Sequence, residues 1–209
     1  MTSWVFVGDD PSSADLHGAN DALTNGLIVA YPTDTVYGLA VDPRCGEAVE
    51  KLCLVKGRAV GMGLPLISSN LLQLESCLGG LSPLGRKLAN IFWPGPLTLV
   101  FEPEILLAPA VHAEDGSLAV RVPNCEIARR LSQQYGYPVT ATSANFAGMK
   151  PGSTGRAVQA IFGSTVAVVL EQREALTGSA STIVDVRGTT PGLLREGAIP
   201  WDRVLQSVR

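Results

Sequence analysis

The sequence predicts an α/β fold: a twisted sheet of mixed parallel and antiparallel strands with flanking helices. Three observations predict it. Short apolar runs bounded by Gly, Pro, Ser and Thr recur along all 209 residues, and windows of helical spacing lie between several of them. Strands interleaved with helices make a layered α/β sandwich. Two of the runs, 26–32 and 35–41, are almost contiguous, and the late strands lack helices between them, so a purely parallel sheet does not fit.

In chain order the predicted strands are 4–8 (WVFVG), 26–32 (GLIVAYP), 35–41 (TVYGLAV), 64–69 (LPLISS), 97–102 (LTLVFE), 117–123 (SLAVRVP), 138–142 (PVTAT), 165–170 (TVAVVL) and 181–186 (STIVDV). The first predicted helix covers 12–25. A second, 46–56, places Val49, Leu52 and Cys53 on one face. A third, 82–92, starts with Ser82 as N-cap and Pro83 in its first turn. A fourth runs from Asn124 to a stop at Gly136, and a fifth from Ser153 or Thr154 to Gly163. Residues 103–117 and 171–181 read as long loops. No internal repeat is visible, and the length predicts one domain over 1–209 with a core at about 12–200.

The formal charge of −3 argues against a surface devoted to nucleic acid. The charge is uneven. Residues 1–50 hold eight acids against one Arg, a net of −7. The remaining 15 Lys and Arg against 11 acids give +4 for 51–209. An anion site is therefore expected mainly from the later chain. Cysteines 45, 53, 77 and 125 lack paired metal-ligand spacing and read as free thiols in a reducing cytosol. No signal peptide and no membrane span is apparent, so a cytoplasmic protein without membrane contact is expected.

Four constellations concentrate polar chemistry at strand ends, where α/β sheets bind ligands. In YPTDTVYGL, Thr33, Asp34 and Thr35 form a bend: either ligand-binding hydroxyls or a self-capped turn. In KGRAVGMGLPL, Lys56 and Arg58 either complement a helix C-terminus or hold an anion. The glycines behind them suggest a phosphate cradle, yet the Lys precedes them, unlike a P-loop. In VTATSANFAGMKPGSTG, a strand runs into Thr142, Ser143 and Asn145 and then a helix start, a plausible phosphate or carboxylate site. Arg121 inside an apolar strand and Arg195 in GLLREGAIP face either solvent or a bidentate anion. With only His17 and His112 present, a Ser–His hydrolase is not expected. This inventory suits a site that positions a polyanion for nucleotidyl transfer, with Mg²⁺ sharing the charge and no nucleophile from the protein.

YPTDTVYGL, KGR followed by LPL, WPGPLTLVF, LAVRVP, TSAN, STIVDV and LREGAIP occur in this order. In these motifs, from about residue 12 to 200, the chain resembles the YrdC/TsaC family of threonylcarbamoyl-AMP synthases, of the short single-domain type. The resemblance implies a concave, cation-lined cavity and formation of threonylcarbamoyl-AMP and pyrophosphate from L-threonine, bicarbonate and ATP. The product would pass to a separate transferase complex that makes the tRNA modification t6A. The resemblance further implies that Thr33, Arg121 and Ser181 bind threonine. Lys56 and Arg58 would grip the triphosphate, facing Ser143 and Asn145 across the cavity. Ser143 and Asn145 would hold phosphate or its Mg²⁺, Thr142 would add backbone contacts, and Arg195 would approach the nucleotide. The metal would arrive on the ATP phosphates, without a dedicated protein cluster. The chain departs from the family in the Gly-rich AVGMG stretch and in Ser69, where many members carry His. A monomer is expected. The alternatives are an RNA-binding module with weak tRNA contact, a YciO-like paralogue without this activity, and the carbamoyl-adenylate domain of hydrogenase maturation.

Overall fold

The computed structural model describes residues 2–7, 10–57, 62–146, 148–172 and 179–208. In order the elements are β1 Ser3–Phe6, α1 Ser13–Thr24, β2 Ile28–Tyr31, β3 Gly38–Ala40, α2 Gly46–Lys56, β4 Leu66–Ile67, α3 Leu71–Leu78, α4 Pro83–Phe92 and β5 Leu97–Phe101. There follow β6 Leu118–Arg121, α5 Glu126–Tyr135, β7 Val139–Thr140, β8 Thr142–Ser143, α6 Gly155–Phe162, β9 Val166–Glu171, β10 Thr182–Asp185, β11 Gly192–Arg195 and α7 Trp201–Val208.

Every predicted strand overlaps an observed one, and the strands are mixed as expected. They form two sheets, ordered β1-β9-β2-β3-β8 and β11-β10-β5-β6-β4-β7. The first has β2 parallel to β9 and antiparallel to β3. The second joins parallel and antiparallel pairs through β5 and β6. What the apolar pattern does not reveal is that 138–142 is two strands. β7 pairs with β4, and β8 pairs with β3 of the other sheet.

The corner between them is fully bonded. Ala141 N donates to Pro65 O at 2.7 Å. The Thr140 hydroxyl accepts from Val41 N at 2.9 Å and donates to Leu39 O at 3.2 Å. Tyr31 Oη donates to Thr140 O at 3.0 Å. A buried polar group left unpaired costs about 1–3 kcal/mol, so this closure allows a chain to turn inside the core.

The helix signals place most ends correctly. Ser82 accepts from Gly85 N at 3.1 Å with Pro83 behind it. Thr154, not Ser153, caps α6 through Ala157 N at 3.1 Å. At α5 the cap position falls to Cys125 rather than Asn124, without a side-chain cap bond, while Gly136 closes the helix at φ +78°. The glycines after Lys56 also have backbone duties. Gly57 ends α2 in the left-handed region at φ +60°. Gly63, at φ +55°, lies so close to the next loop that a Cβ would come within 2.9 Å of Ala113 N. Both are demands of chain geometry that Gly meets most readily. Gly61 lies outside the described residues.

Two helices and one strand were not anticipated. Asn70 caps α3 through Gln73 N at 2.8 Å, and Leu74 and Leu78 are buried. α7 buries Val204. β11 is an edge strand with exposed Leu193 and Leu194, so it lacks the inward alternation that marks a strand. Of the two expected loops, 103–117 carries a short 3₁₀ turn, Pro109–Val111. Residues 173–178 of the other lie outside the described residues.

The core has two parts. One draws Leu39 and Val169 from the first sheet and Leu66, Leu99 and Val120 from the second. The other covers α1 and α5, with Leu16, Leu23, Val29, Leu131 and Val139. No described helix is long and apolar enough to cross a membrane.

Gly38 shows how tightly β3 is held. A Cβ there would lie 2.9 Å from Cζ of the buried, hydrogen-bonded Tyr31 ring. Gly38→Ala is expected to destabilise by about 1–3 kcal/mol through overpacking, read as a lower urea midpoint at unchanged m-value.

Candidate functional site

The site grows from the segments that follow β2, β6 and β8 and from the start of β10. Its first cluster lies at the end of α2. Lys56 is the last residue of the helix. It reaches across the chain, donating to Ser143 O, to Asn145 O at 2.7 Å and to Asn145 Oδ1 at 3.3 Å. Lys56 is only 4% exposed. Ser143 Oγ donates to Asn145 Oδ1 at 2.5 Å, and Asn145 Nδ2 donates to Phe146 O at 2.9 Å and Met149 O at 2.6 Å. The buried Thr142 sits on β8 opposite Leu39. The structure therefore brings Lys56, Ser143 and Asn145 into direct contact, where the sequence reading set them on opposite walls. Arg58 lies outside the described residues.

The second cluster is the bend after β2. The Thr33 hydroxyl accepts from Thr35 N at 3.1 Å and Val36 N at 3.2 Å and donates to Val36 O at 2.6 Å. It also lies 2.9 Å from the Thr35 hydroxyl. The bend is thus a self-capped turn built on Thr33. The turn aims Asp34 at Arg121. Arg121 Nη1 donates to Asp34 Oδ1 at 2.6 Å and Nη2 to Thr35 Oγ1 at 3.1 Å. The two ion-paired side chains are 9% and 12% exposed. Arg121 is thus not on a solvent face. It ends β6, where β4 pairs beside it and Ser68 N donates to Arg121 O at 2.9 Å.

The third cluster joins Ser181, Thr98 and Arg195. Ser181 Oγ lies 2.8 Å from the buried Thr98 hydroxyl. Arg195 donates to Ser181 O from Nε at 3.1 Å and Nη2 at 2.8 Å, and to Ser181 Oγ at 3.2 Å. Desolvation, and after it the positive charge of Arg121, hold the Arg195 pKa below the usual guanidinium value. Thr98 lies on β5 beside the Leu99–Val120 pair, and Val120 precedes Arg121 on β6. A guanidinium fork beside hydroxyls suits an anionic group.

Next to the second cluster lies a cavity of about 240 Å³ lined by Thr33, Asp34, Asn124, Cys125, Glu126 and Gln172 among others. Burial pushes the Cys125 thiol up, which keeps it protonated and unreactive at neutral pH. Neither histidine serves the site. His17 pairs with Asp21 on α1, and His112 holds the loop at Leu107 and Gly116. Among the described residues no group of three His, Cys, Asp or Glu could hold a metal by itself.

Sequence reasoning named Asp34 and Thr35 only as part of a bend, without their bonds to Arg121, and missed Thr98. For Asp34 and Thr98 a signal existed. A lone Arg in an apolar strand demands a carboxylate, and the nearest motif offered one in PTDT. Thr98 interrupts the apolar strand LTLVF as Arg121 interrupts LAVRV.

Comparison with known proteins agrees with this architecture. The Sua5/YciO/YrdC family profile, described as telomere recombination, matches residues 21–197. A threonylcarbamoyl-AMP synthase of Photobacterium profundum is 35% identical over 179 residues, covering 84% of this chain and 95% of that protein. One from Pyrococcus abyssi is 31% identical over 204 residues, 98% of this chain and 60% of that protein. Among solved structures, P. abyssi Sua5 complexed with L-threonine superposes with a TM-score of 0.91 at 29% identity. It covers 99% of this chain, which spans about three fifths (61%) of that longer protein. E. coli YciO shares the fold, with a TM-score of 0.86 at 21% identity, over 96% of this chain and 98% of that one. The chain belongs to the Sua5/YciO/YrdC family.

Proposed function

We propose that this protein is a threonylcarbamoyl-AMP synthase, joining L-threonine, bicarbonate and ATP into threonylcarbamoyl-AMP and pyrophosphate. The observations that carry the reading in the site itself are Arg195 held on Ser181, which bonds Thr98, and Arg121 held by Asp34 and Thr35, with the segment after β8 bonded to the buried Lys56. The similar relatives carry the same name.

In this reading the amine of threonine takes up CO₂ as a carbamate, whose oxygen attacks the α-phosphorus of ATP and releases pyrophosphate. The attacking oxygen belongs to the substrate, so the protein's task is to position and to neutralise. Arg121 takes the threonine carboxylate. Ser181 steadies the threonine or carbamate end, and Arg195 faces the nucleotide. Thr33 acts through the turn that presents Asp34 and Thr35, because its hydroxyl is already bonded to that turn. Lys56 orders the Thr142–Asn145 segment and places its positive charge behind the backbone on which the phosphates rest. Arg58 completes the triphosphate contact. Ser143 and Asn145 would hold the Mg²⁺ carried on the ATP phosphates, which would offset their charge. The product goes on to a tRNA threonylcarbamoyl transferase complex. The protein works as a monomer in the cytoplasm, with any contact to RNA weak and salt-sensitive.

Pyrophosphate release from ATP is expected to require both threonine and bicarbonate, checked by omitting each in turn. Release that ignores both would overturn the reading. Lys56→Ala is expected to act twice. It removes the charge at the phosphate loop and takes the Lys56 donor from the Asn145 carbonyl, while Ser143 O keeps its bond from Asn145 N, lowering stability by about 1–3 kcal/mol. Thermal denaturation alongside ATP titration separates the two effects. Gly197 gives a subtler probe, since a Cβ there would meet Ala180 O at 2.2 Å and Ser181 C at 2.6 Å. Gly197→Ala is expected to shift Ser181 and lower kcat/KM by up to about 100-fold while the far-UV circular dichroism keeps its shape.

A further inference from the structure

Thr182 begins β10 and is fully buried. Its backbone belongs to the sheet: it sits opposite Leu97 of β5, and its N–H donates to Pro96 O at 3.0 Å. Its hydroxyl serves a different part of the chain. It donates to Ile199 O at 2.6 Å and accepts from Gly197 N at 2.9 Å and Ile199 N at 3.1 Å. A hydroxyl has one proton and two lone pairs, so its whole capacity goes to the backbone of one short segment. That segment, 196–199, follows directly after Arg195. The sheet does not hold it in the usual way. The β10–β11 ladder shifts register between Ile183 and Val184, and Arg195 is the last β11 residue in it, opposite Ile183. Past that point Ala198 N donates to Ala180 O at 2.9 Å, and the Thr182 hydroxyl takes the residues on either side of Ala198. At the front of the segment Glu196 Oε1 accepts from Trp201 N at 2.7 Å, which ties it to the start of α7.

Buried N–H and C=O groups need partners, so loss of this one hydroxyl would release Gly197 and Ile199 together. The two site residues nearby depend on it unequally. Ser181 is held from a second side, with its Oγ 2.8 Å from Thr98 Oγ1, and it adjoins the β10–β5 ladder. The hydrogen bonds described for the Arg195 side chain all go to Ser181. Its aim is therefore set by how the backbone on either side of it is anchored, by β11 before it and by Thr182 after it. We propose that Thr182 is a positioning residue for the reaction: its hydroxyl fixes the 196–199 segment and thereby aims Arg195 at the nucleotide. Being fully buried, Thr182 does not touch substrate and acts only through the backbone. The inference rests on the reading of Arg195 as the residue that faces the nucleotide.

The test compares two variants of the intact protein: Thr182→Val, which keeps the shape and loses the hydroxyl, and Thr182→Ser, which keeps the hydroxyl. Pyrophosphate release gives kcat/KM for ATP, and calorimetric titration gives the affinity for L-threonine. Thr182→Val is expected to lower kcat/KM for ATP about 10- to 100-fold, the scale of a small misplacement of a charged group. Threonine affinity is expected to stay within about threefold of wild type, and Thr182→Ser to restore kcat/KM to within about threefold, since the hydroxyl is back. In an Arg195→Ala background Thr182→Val is expected to change kcat/KM by less than about threefold, because the group it aims is gone. An equal loss in both backgrounds, or a matching loss of threonine affinity, would mean that Thr182 serves the fold alone and would overturn the inference. Wild-type kcat/KM in Thr182→Val would overturn it as well. Should circular dichroism show that Thr182→Val does not fold, Thr182→Cys takes its place with the same outcomes, since a thiol accepts only weakly. Undiminished kcat/KM in Arg195→Ala would instead overturn the nucleotide role of Arg195, and the inference with it.

Discussion

The Lys56 ammonium is the charge on which the segment after β8 depends. A buried ammonium is expensive unless its donors are met. Here acceptors come from one short segment, the backbone of Ser143 and Asn145 and the Asn145 side chain. Asn145 uses its remaining donors on Phe146 and Met149, so the charge orders the turn beyond it as well. Residues 87 and 89 positions apart in the chain are joined by this one group. The end of α2 and the end of β8 consequently form a single unit. This part of the candidate site is less a glycine cradle than a loop drawn around a buried positive charge.

On the other side of the site the two guanidinium groups are treated differently. Arg121 is offset by Asp34 in a largely buried pair, which makes it a fixed part of the fold. Arg195 is held by the carbonyl and hydroxyl of Ser181, neutral groups that steer without cancelling charge. Desolvation first, and the charge of Arg121 after it, lower the pKa of Arg195. The acidic first 50 residues supply one carboxylate to a site whose cations all come from later in the chain, which is how the uneven charge of the sequence is resolved.

Much of this was legible from residue order alone. Apolar runs located the strands because β-structure buries contiguous or alternating side chains, and Ser82, Thr154 and Gly136 marked helix ends through local chemistry. The motif residues Lys56, Ser143, Asn145, Arg121, Ser181 and Arg195 do gather into bonded clusters. What stayed hidden depends on contacts between distant segments. No local pattern says that Lys56 bonds the TSAN backbone, or that Thr33 spends its hydroxyl on its own turn. β11 escaped because an exposed edge strand has no inward face to declare it. The division of 139–143 between two sheets depends on partners at 38–39 and 66–67 and leaves no trace in its own composition.

That division has a mechanical consequence. The five-residue run from Val139 to Ser143 is pinned to one sheet at its start and to the other at its end, with Ala141 tied to Pro65 between them. Hinging one sheet against the other would pull on this staple and break main-chain pairings on both sides of it. The frame behaves as one stiff body at the floor of the site. Any movement that admits and releases a ligand then falls to the segments above that floor, and the candidate site is carried by the part of the protein least free to bend.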